Sequence, residues 1–420
     1  MFRWGRSGTA VAAAAGIGMA GLVGALGVAP ADAAGTGSPY TYEAFTYGTL
    51  IGGGSLPASS GRSAYAVVAC TSVAGRQARN TVTGIDLDGL DVGAVTSNSR
   101  SYRTGGTYHA ASVNTIASIT AGSDSGPRLT ITGLRSVSHA WHSSTGYHSA
   151  LSYTGKIGLT ATPGGPTVPL QFPEDGRTLT VPGVGTVYSG LKTLRRGPGY
   201  ASASGYALRL HLDASGSNVW LGHTLAQIRR KAPAGIFSGR AYGSEVHALG
   251  GAVTSGPSAL AMLSCNGTGG RVLHSSTASV TVPEVVHVGA TISRVRGAGT
   301  RTGVGDAWTR SNVAEATLGT GQAVIRGVHA NAHVHRTAGG RVTEDVRGTT
   351  PGTVTVGSRT TALPVHGRLV IPGVASISTR VVSRTATSIR VTAVRVQLLS
   401  GTAAGTTIDL GNARAGIARR

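Results

Sequence analysis

One stretch is written twice, and it constrains the fold more than any other feature. Residues 177–189 read R-T-L-T-V-P-G-V-G-T-V-Y-S and residues 367–379 read G-R-L-V-I-P-G-V-A-S-I-S-T. Leu179, Val181, Pro182, Gly183 and Val184 recur as Leu369, Ile371, Pro372, Gly373 and Val374. Two alternating apolar residues reach a Pro-Gly pair, and two more follow it. Proline presets φ at the first corner of a type II turn, and glycine accepts the positive φ of the second. A hairpin is therefore expected twice.

The rest of the chain duplicates around this stretch. Tyr47-Gly48 returns as Tyr242-Gly243, and A-Y-A-V-V-A-C ending at Cys70 returns as A-L-A-M-L-S-C ending at Cys265. V-G-A-V-T-S at 92–97 matches V-G-A-T-I-S at 288–293, and Gly133 and His139 match Gly327 and His333. L-R-L-H-L at 208–212 matches V-R-V-Q-L at 394–398, and Leu221-Gly222 matches Leu410-Gly411. Colinear matches with small indels read as a gene duplication. The copies span 40–228 and 237–420, with a linker at 229–236 where Arg229-Arg230-Lys231 and Pro233 interrupt the pattern.

Period-two alternation within the copies predicts half-buried strands: Leu208, Leu210 and Leu212 inward, Arg209 and His211 outward. In residues 388–398 the phase slips near Ala393-Val394, which predicts a β-bulge. The expected fold is all-β, two homologous antiparallel β-sandwich-like domains from a tandem duplication. Short helices at most are expected.

The N-terminus carries an export signal. Arg3 and Arg6 precede an apolar run from Thr9 to Val28, and Ala31-Asp32-Ala33 is a small-x-small cleavage site, so residues 1–33 read as a signal peptide. No later segment has the apolar length of a membrane span. A secreted or cell-surface protein is expected. The net charge of +21 does not point to nucleic acid. Nearly all of it is arginine, spread over both copies without a dense run or interleaved aromatics for base stacking, as a GC-rich genome produces. Anionic cell-wall polymer or polysaccharide is the partner class that the charge admits, with no specific nucleic acid.

The signal peptide, the Tyr-Gly opening, the Ser/Thr/Ala/Val-rich alternating strands and the closing L-R-L-H-L…V-W-L-G-H segment resemble the choice-of-anchor P family of actinobacterial secreted proteins. The resemblance covers almost the whole mature chain and implies an exported protein. Members often carry a C-terminal wall or membrane anchor, whereas this sequence ends at Ala418-Arg419-Arg420. The family has no established catalytic residues, so it implies no site.

Several residue patterns invite chemistry. His329, His333 and His335, in V-H-A-N-A-H-V-H, share one face of a strand and form the metal candidate. Asp86, Asp88 and Asp91, in I-D-L-D-G-L-D, resemble a calcium cluster, but the alternation with Ile85, Leu87 and Leu90 reads as a strand end entering a turn. Ser125 in G-S-D-S-G-P lacks the surroundings of a protease nucleophile and reads as a polar turn. Glu174, Asp175, Glu315 and Glu344 are available for glycoside hydrolysis, but no spacing pairs them. No pattern calls for a cofactor. Cys70 and Cys265 are the only cysteines, occupy matching positions and are exported together, so a disulfide between the copies is expected. The reading is an exported, non-catalytic structural or binding module of the envelope or extracellular space. The alternative is a polysaccharide-active secreted hydrolase.

Overall fold

The alternation of apolar with short polar residues builds strands throughout. The computed structural model describes residues 37–53, 62–82, 84–87, 89–123, 125–247, 254–282, 284–319, 321–401 and 403–418. The expected signal sequence and Asp88 lie outside them. No helix occurs among the described residues, and every strand pairing is antiparallel. The all-β expectation is met.

The strands of the described residues form four sheets. Sheet A runs Thr178–Val181, Gly185–Ser189, Leu208–Leu212, Ser217–Arg230, Tyr40–Gly52, Ala66–Thr71, with the hairpin Lys192–Gly197 and Tyr200–Gly205 added to Ser217–Arg230. Sheet B runs Thr167–Leu170, Gly146–Thr160, Arg128–Ser143, Thr107–Gly122, Leu90–Val92, Ile85–Leu87, and Val95–Thr104 with Gln77–Val82 also joins Thr107–Gly122. Sheets C and D repeat this order with residues of the second half. In sheet C, Ile236–His247, Thr407–Ala418, Ser388–Leu398, Ala375–Thr385 and Gly367–Ile371 are neighbours in turn; in sheet D, Leu273–Thr277, Thr291–Gly299, Gly305–Leu318 and Ala323–Arg336 are. No pairing among the described residues crosses from one half to the other. The described residues nevertheless form one compact unit.

Each pair of sheets closes on a shared interior. At one end large aliphatics fill it: Ile116, Ile119, Leu129, Ile131 and Leu134 of sheet B lie in one cluster with Val187, Leu208, Leu210 and Leu221 of sheet A. Fully burying such a side chain contributes roughly 1.5–3 kcal/mol. Elsewhere the sheets nearly touch, which accounts for the Ser, Ala and Gly content. Ser112 Oγ donates across the interior to Leu225 O at 2.7 Å, Ser99 Oγ to Ala66 O at 3.2 Å, and Ser311 Oγ to Tyr242 O at 2.8 Å. A hydroxyl bonded to the opposite backbone satisfies a buried polar group where a larger side chain would push the sheets apart. The Tyr-Gly pairs follow from the same closeness. A Cβ on Gly48 would come within 2.3 Å of the Val95 side chain, and one on Gly243 within 2.6 Å of Thr291.

The halves share local devices at the positions that match in sequence. Val184 N–H bonds Val181 O and Val374 N–H bonds Ile371 O, both at 3.0 Å, with Gly183 at φ +77° and Gly373 at φ +69°. Both Pro-Gly pairs thus close the expected turn. Ala64 and Ala259 both stand at φ +48°. Ser63 Oγ bonds Thr49 Oγ1 at 2.7 Å, and Ser258 Oγ bonds Ser244 Oγ at 2.7 Å. Alanine at Gly373 would meet nothing within 4 Å, so its cost is backbone strain alone. Gly373→Ala should lower stability by about 1 kcal/mol in denaturant unfolding; an unchanged midpoint contradicts the turn assignment.

Two expectations need correction. The phase slip in Ser388–Leu398 is real, since Val391, Ala393, Val394 and Val396 are all buried. It is not a bulge with an extra residue. Thr392 and Val394 pair in constant register with Val381 and Thr379 on one side and with Asn412 and Leu410 on the other. The slip occurs where the neighbours turn left-handed, at Arg380 and Gly411. The connection between the halves is also shorter than 229–236. Arg229 and Arg230 pair with Thr41 and Tyr40 inside the strand Ser217–Arg230, and the next strand begins at Ile236.

Cys70 and Cys265 are disulfide-bonded, with Cα atoms 4.7 Å apart. They sit in a small cluster with Ile236 and Ala418 where the halves meet. Beside them Glu43 accepts from Gln227 Nε2 at 3.1 Å, and Gln227 Oε1 accepts from Arg229. Burial pushes the Glu43 carboxyl up to about 7, with Arg229 opposing.

Candidate functional site

The outer face of sheet B carries a column of rings. Alternation along Val95–Thr104, Thr107–Gly122, Arg128–Ser143 and Gly146–Thr160 sends Ser101, Ala110, Ala140 and Ser149 inward, each at most 1 % exposed. Tyr102, His109, His139, Trp141 and His148 therefore fall on the other face, and the register aligns them. Tyr102 pairs with His109, His109 with Trp141, and Trp141 with His148. Ring centroids follow one another at 4.5 Å from Tyr102 to His109, 5.1 Å to His139, 4.6 Å to Trp141 and 5.1 Å to His148, and the interplanar angles between successive rings are 8–25°. The Arg100 guanidinium caps the column 4.6 Å above the Tyr102 ring. Stacked aromatic pairs contribute about 0.5–1.5 kcal/mol each beyond their buried area.

Polar contacts tie the rings together: His139 Nε2 lies 3.0 Å from His109 Nδ1 and 3.4 Å from Tyr102 Oη. Burial, then His109 and Arg100, push His139 down to about 4. Burial and Arg100 also lower His109. With ring faces turned to one another, all five side chains are half-buried and their outer edges face solvent. His148 Nε2 closes the far end against Thr145 Oγ1 at 2.9 Å.

The equivalent face of sheet D holds charge in place of rings. Asp306 pairs with His335 as His109 pairs with Trp141, and His333 takes the place of His139. His333 Nε2 lies 2.7 Å from Asp306 Oδ2, its Nδ1 lies 3.3 Å from Asp345 Oδ2, and His335 Nδ1 lies 3.6 Å from Asp306 Oδ2. Burial alone would raise Asp345, but Arg347 and His333 hold it below its usual range. Beside this cluster Trp308, Arg310, Asn331, His333, Asp345 and Arg347 line a hollow of about 350 Å³, with the Arg310 guanidinium 4.6 Å over the Trp308 ring.

Of the metal candidates, His333 and His335 converge on Asp306, while His329 Nδ1 bonds Asn312 Oδ1 at 2.9 Å. The three do not present ligand atoms within 4.8 Å of one another. Among the described residues only Glu43, Cys70 and Cys265 do, and there both sulfurs belong to the disulfide. Asp86 pairs with Asp91 across a short hairpin, while Asp88 lies outside the described residues. Ser125 sits in the turn before Arg128–Ser143. Asp175 is bound by Tyr153 and Lys192, and Glu315 by Arg326 at 2.8 Å. Sequence reading missed Tyr102, His109 and His148, and it missed Asp306 and Asp345 as partners of the histidines.

No family model matches the chain, and no curated protein does. Among solved structures, the chain is similar to the Neisserial surface protein A at 12 % identity, over 46 % of this chain and 97 % of that one, with a TM-score of 0.11. It is similar to the beta domain of the Bordetella autotransporter BrkA at 7 % identity, over 90 % and 99 %, with a TM-score of 0.12. The third is the CymD monoaromatic hydrocarbon channel, at 7 % identity over 91 % and 90 %, with a TM-score of 0.13. Scores at this level carry no inference about fold or function.

Proposed function

We propose that the protein is an exported, non-catalytic binding module of the envelope or extracellular space. It lays the outer face of sheet B, and the matching face of sheet D, against polysaccharide, the anionic polymers of the wall included. The observation that carries this reading is the ring column from Tyr102 to His148. Its side chains are ordered before any ligand arrives, so little conformational entropy is lost on binding. Its edges offer donors and acceptors in a row that suits the hydroxyls of an extended sugar chain. The repeated strand order supports a duplicated ancestor, which gives two such faces in one chain. The resemblance to choice-of-anchor P proteins and the export signal support the same setting.

Sedimentation with purified cell-wall material tests the reading. Trp141→Ala should leave the secreted protein folded by circular dichroism and reduce the fraction that pellets with the polymer about tenfold, the scale of losing one aromatic anchor. Equal retention of the variant would confine the column to holding the sheet together.

A further inference from the structure

Directly after Thr379, the second half places Arg380 in the left-handed region at φ +50°. At the same step of the first half, directly after Ser189, stands Gly190 at φ +72°. Hydrogen bonds fix the equivalence. Ser189 Oγ reaches Arg177 O and Thr379 Oγ1 reaches Gly367 O, both at 3.4 Å, where the two copies of the Pro-Gly stretch begin. Glycine adopts this backbone freely, whereas arginine meets steric resistance. Arg380 bears a second cost, because its Nε–H is buried with no acceptor. Its Nη1 donates to His366 Nε2 at 3.0 Å. A strained non-glycine residue that glycine serves in the sister copy points to a use for its side chain.

A Cβ on Gly190 would meet Gly176 N at 2.4 Å, so the first half has no room there. In the second half Arg380 instead lines a hollow of about 550 Å³, together with Val346, His366, Val382 and Arg384. Two guanidinium groups meet in it. Because His366 accepts from Arg380 at Nε2, its proton sits on Nδ1, a third donor. No carboxylate lines the hollow. Glu344 lies close enough to feel Arg384, but burial raises its carboxyl above the usual range, and its Oε2 has no partner.

We propose that this hollow binds a phosphoryl group, held by Arg380 and Arg384 with His366 as the neutral donor. Guanidinium groups match phosphate oxygens two at a time, and a chain with a net charge of +21 draws anions to its surface. The source is either free phosphate or the phosphodiester of a wall polymer. The site shares no residue with the outer-face clusters, so it stands or falls apart from the polysaccharide reading.

The mature, disulfide-bonded chain is titrated with inorganic phosphate and with poly(glycerol phosphate), against chloride at matched ionic strength, and thermal unfolding and calorimetry are followed. At least one phosphate probe should bind saturably and raise Tm. Arg380→Gly should fold with an unchanged or higher Tm in chloride and bind about 10- to 100-fold more weakly, the loss expected for removing charged hydrogen bonds. Arg384→Gln should weaken binding in the same direction. Polymer binding that Arg380→Gly weakens, without binding of inorganic phosphate, assigns the source to the phosphodiester, and binding of inorganic phosphate assigns it to the free anion; each supports the site. Saturable binding of neither probe, or equal binding by Arg380→Gly, overturns it. Trp141→Ala should leave binding of inorganic phosphate, and the effect of Arg380→Gly on it, unchanged, so failure here is distinct from failure of the sheet face.

Discussion

Replacing Cys70 and Cys265 with alanine should lower the unfolding free energy by about 2–5 kcal/mol, the range for opening a long covalent loop. The bridge spans 195 residues and, besides the chain connection at 231–235, ties together halves that share no sheet. Cys70 and Cys265 are 8 % and 1 % exposed, so the native bridge should resist mild reductant until the junction opens. Guanidinium unfolding of the oxidised protein, the reduced protein and the double variant reads the effect. The last two should give the same profile, with unfolding beginning at lower denaturant. A variant as stable as the oxidised protein would show that the bridge adds nothing to an already rigid junction. Two transitions, rather than one, are expected once the bridge is gone, because each half keeps its own core.

Acid should destabilise the fold over a defined window. His223 is stacked 4.5 Å from the Tyr47 ring and 5.2 Å from Phe45, and its Nδ1 has no partner. Burial, with Arg62 adding to it, pushes it down to about 3, while His139 falls to about 4. Both take up a proton on unfolding at pH values where the native state refuses it, so stability is fully present above about 6.5 and falls with pH below that. Glu43 works the other way. Raised to about 7, it is protonated in the native state and ionised when unfolded between about 4.5 and 7, so its share of stability is lost as pH rises through that range. Between about 6.5 and 4.5 these three groups alone give the unfolded chain two more histidine protons and one fewer carboxyl proton, a net uptake of one. Their share of stability should therefore fall by about 1.4 kcal/mol per pH unit on acidification there. Glu43→Gln removes the opposing proton and should roughly double that slope. Denaturant midpoints across pH in both proteins check this. A flat profile, or an unchanged slope in Glu43→Gln, contradicts the assignment of these groups.

Much of the architecture was legible because it is local. Alternation at 208–212 and 394–398 gave strand faces, the Pro-Gly pairs gave their turns, and matching cysteines gave the bridge. What was not legible depends on register between strands. Tyr102, His109, Trp141 and His148 are scattered in sequence and become one column only when three pairings align them. His333 was visible through its alternation with His335, but its partners Asp306 and Asp345 lie on neighbouring strands. The slip at Ala393 was seen, and its cause was not, because the left-handed residues responsible stand on the flanking strands. Arg380 carried no signal until its backbone angle could be compared with that of Gly190.

The binding claim meets its most direct test in hydrogen exchange of the secreted protein with and without cell-wall polysaccharide. Protection on binding should rise in the strands Val95–Thr104, Thr107–Gly122, Arg128–Ser143 and Gly146–Thr160 that carry the ring column. Sheet A should exchange as before. Protection confined to sheet A, or no change in the presence of polymer that sediments with the protein, would contradict the assignment of the outer face of sheet B as the binding surface.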